Sequence, residues 1–177
     1  MQKKSSYVLL LLVFMVVIAI GIYFYQQSKK PLDVNSDLKS LSLDQNDVKG
    51  LQLLYESRFD RDTINPNAHS RYIISYDNSL EFKNKKEKYK SVTDKIFIYN
   101  STADLEKDFV KKKPEPIFEE VTITQIGDGS YAFKMSVFGQ KNSYIRFRKK
   151  NVIVEVSLNG GDINEAIAYA KILDGKI

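Results

Sequence analysis

The sequence predicts an α+β protein: an N-terminal transmembrane helix, then one domain with an antiparallel sheet of about six to seven strands and two or more packed helices. Three observations predict it. Tyr7–Tyr25 (YVLLLLVFMVVIAIGIYFY) is a run of 19 residues without a charge, amide or proline. From Gly50 onward apolar residues recur at every second position, the period of a strand with one buried face. Ser101-Thr102-Ala103-Asp104 and Asp162-Ile163-Asn164-Glu165 carry the residue types that start helices. A chain of 177 residues has room for one domain of ordinary size behind the apolar run.

The apolar run, as a helix rising about 1.5 Å per residue, is roughly 28 Å long, close to the hydrocarbon thickness of a bilayer. Tyr7 at one end and Tyr23 and Tyr25 at the other suit the two interfaces, and Lys3-Lys4 and Lys29-Lys30 flank them. A cleaved signal peptide, with Ala19-Ile20-Gly21 as its small-x-small site, is the competing reading. Against it, the apolar run continues through Ile22–Tyr25. The chain is therefore divided into a short tail (1–6), an anchor in membrane lipid (7–25), a juxtamembrane linker (26–37) and the domain (38–177). Flanking charge is nearly balanced and does not orient the anchor. Its likeness to an N-terminal export signal favours an extracytoplasmic domain.

In the domain, Leu38, Leu41 and Leu43 form an apolar patch, either a helical turn or packed coil. Leu51, Leu53, Tyr55 and Phe59 predict a strand, and Asp60–Ser70 is turn chemistry. Arg71–Phe82 predicts a second strand with Tyr72, Ile74 and Tyr76 on one face. The charged connector Lys83–Lys90 leads to a strand at Lys95–Tyr99. A helix capped by Ser101 carries Leu105, Phe109 and Val110 inward, and Pro114 ends it. Strands follow at Val121–Ile126, Ser130–Phe138, Tyr144–Arg148 and Val152–Leu158. The last helix, capped by Asp162 and Glu165, carries Ile163, Ile167, Ala170 and Leu173 on one stripe.

The late strands are specific enough for a register. A two-residue turn at Lys150-Asn151 pairs Phe147 with Val154 and Ile145 with Val156, and sets Arg146 opposite Glu155 on the other face. Asn151 is the residue expected to take left-handed geometry there. A five-residue loop, Gly139–Ser143, pairs Val137 with Ile145 and Met135 with Phe147.

With its elements in this order the chain resembles the PsbP-like α/β/α sandwich. The stretches that carry the resemblance are LKSLSLDQNDVKGLQLLYESRF, IFIYNSTADLEKDF, ITQIGDGSYAF and YIRFRKKNVIVEVSLNGGDINEAIAYAKILDGKI, together most of residues 38–177. None is a catalytic signature. Val48-Lys49-Gly50 stands where such members carry a Pro-Gly or aromatic step. The resemblance implies a non-enzymatic binding or accessory module.

Composition removes several chemistries. The chain has no Cys, hence no disulfide, thiol nucleophile or cysteine metal site, and a single His, His69. Of the net charge of +5, four come from the lysines in residues 1–30; from Pro31 onward 23 basic residues meet 22 acidic ones, so nucleic acid is not an expected partner. Ile126-Gly127-Asp128-Gly129-Ser130 lacks the strand–helix context of a phosphate loop and reads as a turn. Asp60-Arg61-Asp62 has too few ligands for a hard cation. No cofactor, metal site or catalytic residue is expected. Three basic clusters, Lys83–Lys90, Lys111–Lys113 and Arg146–Lys150, are either solvated loops or contacts to anionic lipid. The candidate binding face is the mixed side of the sheet: Lys134, Tyr144, Arg146 and Arg148. Asn100-Ser101-Thr102 is a glycosylation sequon at Asn100, with the helix cap as the favoured role of Ser101. The predicted function is binding of a protein, peptide or envelope component. The alternatives are a cleft enzyme using carboxylate and Tyr or Lys chemistry, or a structural subunit of a membrane complex.

Overall fold

The period-two segments resolve into seven strands of one antiparallel sheet in the computed structural model, which describes residues 3–28, 30–33, 35–60, 65–79, 88–110, 117–137 and 139–177. The elements in chain order are α1 (Lys3–Ser28), α2 (Leu38–Leu41), β1 (Gln52–Asp60), β2 (Ala68–Asp77), β3 (Ser91–Tyr99), α3 (Thr102–Asp108), β4 (Glu119–Val121), β5 (Gly129–Val137), β6 (Gln140–Lys149), β7 (Val152–Asn159) and α4 (Ile163–Lys176). The sheet order is β1-β2-β3-β7-β6-β5-β4. The chain forms two units, Met1–Pro31 and Leu32–Ile177.

The first unit is α1, a single helix of 26 residues. Among the described residues no helix is long and apolar enough to cross a membrane. The run of α1 whose side chains are described, Leu12–Tyr23, is too short for that by itself. Its helical backbone extends beyond both ends of that run, through the apolar residues Tyr7–Leu11 and Phe24–Tyr25.

In the second unit the sheet buries both faces at its centre. Val92, Ile96 and Ile98 of β3, Val152, Val154, Val156 and Leu158 of β7, and Ile145 and Phe147 of β6 fill the main core. The amphipathic helix α4 lies on β6 and β7, and α2 with Leu43 and Val48 closes the same side over β2. The buried stripe of α4 is Ala166, Tyr169, Ala170 and Leu173, continued by Ile177; Ile163 and Ile167 sit at its margin. On the opposite face a smaller cluster of Ala68, Phe97, Tyr99, Leu105 and Ile153 packs under α3, with Phe109 against it. Leu105 and Phe109 point inward as expected, but Val110 does not: it lies past the C-cap Phe109 and is exposed. Alternation makes this possible: Ile96 and Phe97, or Val152 and Ile153, serve different cores.

The β6–β7 register is the one the sequence predicts: Phe147 pairs with Val154, Ile145 with Val156 and Arg146 with Glu155. The β5–β6 register differs. Val137 pairs with Gln140, Ala132 with Ile145 and Ser130 with Phe147. A tight turn replaces the five-residue loop because Gly139 adopts φ 78°, and the strands then run to its edge. This moves the pairing by an odd number of residues, so Met135 goes to the face opposite Phe147. The predicted strand at 121–126 also stops at Val121. The Ser130 hydroxyl accepts the Ile126 N–H at 3.0 Å, and the Gln125 amide donates to the Gly127 carbonyl at 3.1 Å. Local bonds of this kind compete with a ladder. In β1 a bulge between Leu53 and Tyr55 breaks the alternation, and Leu53, Leu54 and Tyr55 are all exposed. The second strand ends at Asp77, and Phe82 lies outside the described residues, as do Lys111–Lys113 and Pro114.

At the β6–β7 turn the left-handed residue is Lys150, φ 55°, not Asn151. Asn151 is instead a buried staple. Its amide donates to the carbonyls of Tyr99 (2.7 Å) and Leu32 (3.1 Å), and its Oδ1 accepts the Leu32 N–H at 2.7 Å. The side chain thereby fastens the first residue of the domain to its central strands. Asn151→Ala leaves the Tyr99 carbonyl without this donor and frees Leu32. The expected cost is about 2 kcal/mol, read as a lower thermal midpoint together with faster proteolysis near residue 32.

Candidate functional site

Alternation along β6 sends Tyr144, Arg146 and Arg148 to one face of the sheet, the face that carries α3. Lys134 pairs with Ser143, not Tyr144, so it belongs to the opposite face. Three of the four predicted residues are therefore brought together and the fourth is not. The physical reason is the odd shift in the β5–β6 register.

The three that share a face are engaged by their own domain. Arg146 Nε lies 3.3 Å from Glu155 Oε1, and both side chains are about one-seventh exposed. Arg146 Nη1 donates to the Tyr131 hydroxyl at 3.2 Å, which in turn donates to the Val110 carbonyl at 2.8 Å. Lys95 Nζ approaches the other Glu155 oxygen at 3.8 Å. Burial opposes the Arg146 charge, but Glu155 and then Tyr131 outweigh it and hold the guanidinium above its ordinary range. Tyr144 is pushed well above the usual tyrosine range by burial and by Glu155, so it is a neutral hydroxyl at any physiological pH. Arg148 pairs with Glu106 of α3, and its guanidinium lies over the Phe109 ring, 5.1 Å from the centroid. An aromatic row runs beside these charges: Phe109, Tyr131, Phe133 and Tyr144 in successive contacts of 5.4, 5.7 and 6.4 Å between centroids. The surface is a neutralised, aromatic strip in which Lys95 keeps over a third of its side chain in solvent.

Lys134 instead borders a cleft of about 480 Å³ at the N-terminus of α4, with Glu119, Lys141, Asn142, Asn164 and Ile117 among its walls. Asp162 caps that helix, accepting the N–H groups of Asn164 (3.0 Å) and Glu165 (3.1 Å). The cap carboxylate occupies the positive end of the helix, so the cleft has mixed charge and no built anion seat.

The remaining sequence candidates have structural partners. The basic cluster Arg146–Lys150 forms neither a solvated loop nor a free cationic patch. Lys149 pairs with Asp174 at 3.2 Å and Lys150 donates to the Ile177 carbonyl at 2.8 Å, both at the negative end of α4. Phe147, between those cations, is fully buried. Gly127 (φ 60°) lies in a tight turn where a Cβ would collide with the Arg148 carbonyl, and the Asp128 carboxylate accepts the Lys150 N–H at 2.9 Å. Ser101 caps α3, its hydroxyl accepting the Asp104 N–H at 3.1 Å, and the neighbouring Asn100 is exposed. Asp60 pairs with Arg58 at 3.0 Å; Arg61 and Asp62 lie outside the described residues, as does most of Lys83–Lys90. His69 lies half-buried on β2. No group of three or more acidic or His side chains able to hold a metal occurs among the described residues.

Two residues missed at the sequence level matter more to the domain. One is Asn151, which joins Leu32 to Tyr99. Asp94 occupies a core-facing position of β3 between Val92 and Ile96 and is fully buried. A carboxylate at every-second-residue spacing among Val92, Ile96 and Ile98 was the available signal.

No family model matches the chain, and no curated protein does. Among solved structures, the extracellular domain of PknH from Mycobacterium tuberculosis is similar, with a TM-score of 0.55 and 12% sequence identity. The match covers 84% of this chain and 98% of that one. The likeness is one of fold. It is a likeness to a domain described as extracellular, and at this identity it carries no residue of that domain's surface across.

Proposed function

We propose that this protein is a single-pass membrane-anchored module whose domain lies outside the cytoplasm and binds a protein, peptide or envelope component without catalysis. The observation that carries the reading is the pairing of two parts in one chain. A 26-residue helix with an uncharged 19-residue run precedes a domain whose fold is similar to that of the extracellular domain of PknH. The finer resemblance to the PsbP-like sandwich is part of the proposal, supported by helices on both faces of the sheet. The binding region is the strip of the second face that α3 leaves open. There Tyr144 and Lys95 meet the ligand, while Arg146 holds the Tyr131 hydroxyl opposite it and is not itself a ligand contact.

The chain has no Cys, so Lys88→Cys places one thiol at an exposed position of the domain. Treatment of intact cells with a membrane-impermeant maleimide is expected to label it fully. Labelling only after lysis puts the domain in the cytoplasm and overturns the reading.

A further inference from the structure

Strand β1 is nine residues long, stands at the end of the sheet order, and among the described residues pairs with β2 alone. Long free edges are ordinarily shortened, covered or charged, because their unpaired N–H and C=O groups are templates for another strand. This edge is charged only in its second half, and its first half presents Leu53, Leu54 and Tyr55, each about half exposed. Beyond the bulge it reads Glu56, Ser57, Arg58, Phe59 and Asp60.

We propose that β1 is a homotypic interface: it pairs antiparallel with β1 of a second copy, about a two-fold axis through Ser57, so that one sheet runs through both molecules. The symmetry restricts the register. An axis perpendicular to the sheet keeps each face on its own side, so residues opposite one another share a face and the pairing is centred on a residue. Centring on Glu56 sets Glu against Glu. Centring on Arg58 sets Arg against Arg and Glu56 against Asp60. Centring on Tyr55 drives the pairing through the bulge, and centring on Phe59 runs off the strand after one residue on either side. Centring on Ser57 uses the unbulged part of β1. It places Glu56 opposite Arg58 of the second copy twice over, and Tyr55 opposite Phe59 twice over. Charge and aromatic complementarity therefore converge on one register. The present partners of these charges are surface pairs, Lys39 with Glu56 at 2.8 Å and Arg58 with Asp60 at 3.0 Å. Such pairs exchange at little cost.

The absence of Cys supplies the test. Ser57→Cys puts one thiol on the axis, where directly opposed Cβ atoms are about 5 Å apart, near the span of a disulfide. Gln52→Cys, on the same strand, places the two thiols roughly 30 Å apart. With the full-length chain in detergent micelles and a mild oxidant, Ser57→Cys is expected to form disulfide-linked dimer at least tenfold faster than Gln52→Cys. Adding Glu56→Arg, which opposes Arg58 with a like charge, removes that advantage. Adding Arg58→Glu as well restores it. Equal rates for the two thiols, or a Ser57→Cys rate indifferent to Glu56→Arg, overturn the proposal, as does the absence of dimer.

Discussion

Arg146→Ala is expected to destabilise the domain by about 3 kcal/mol, the cost of leaving a buried carboxylate without its partner. Glu155 has only about one-seventh of its side chain in solvent, and after the substitution its remaining cation is Lys95, at 3.8 Å and with over a third of its side chain in solvent. The Tyr131 hydroxyl loses its donor as well. The double variant Arg146→Met, Glu155→Met separates the pair from its burial. It removes both charges, keeps the volume, and is expected to recover a melting temperature within a few degrees of the parent, because well-packed apolar replacements of buried ion pairs are close to neutral. Near-UV circular dichroism of the tyrosines reports both variants. A single variant with unchanged stability would mean that Arg146 is held for a ligand and not for the fold.

That prediction turns on a pair the sequence already named. The contact of Arg146 with Glu155 was legible because a two-residue turn fixes the register of the strands on either side, and one buried face forbids a slip of one residue. The same logic misplaced Lys134. The β5–β6 connection offered two closures of different length, and apolar residues occur at both parities along Ser130–Phe138, so the pattern did not choose. What chose was the φ of Gly139, a backbone property that composition does not print. The strip around Tyr144 was legible as a mixed face, but its neutralisation was not. Glu106 reaches Arg148 from α3, and Asp174 reaches Lys149 from the far end of α4. Long-range placements of this kind depend on where helices land. Sequence shows which residues carry charge; only the packing shows which charges are left over. On this strip Arg146 and Arg148 are both paired, with Glu155 and Glu106, and the surviving candidate surface is aromatic before it is electrostatic.

The second large effect is a pH dependence centred on Asp94. Its carboxyl is fully enclosed between the sheet, the Ser42–Leu43 segment and the end of α4. No donor reaches either oxygen in good geometry. The Ser42 hydroxyl, the Leu43 N–H and the Lys176 ammonium lie near enough to favour the charge, yet burial outweighs them and pushes the group up to about 7. Lys176 is committed elsewhere, to Asp47 and the Ser42 carbonyl, both at 2.7 Å. The other titratable neighbours are Tyr72 and Tyr76; burial and then nearby carboxylates, Asp94 among them, raise both, Tyr76 to about 12. In the unfolded chain the carboxyl titrates near 3.8. The folded state therefore holds this proton more tightly than the unfolded state, and stability falls as pH rises between the two values. The contribution is complete below pH 4 and is lost on passing through 7. Between pH 5 and 8 the loss from this group is on the order of 2–3 kcal/mol. Asp94→Asn, which keeps the shape of the protonated acid, is expected to flatten that slope and to melt above the parent at pH 8. Parallel pH profiles for the two proteins would mean that Asp94 is charged in the fold and that Lys176, not burial, governs it.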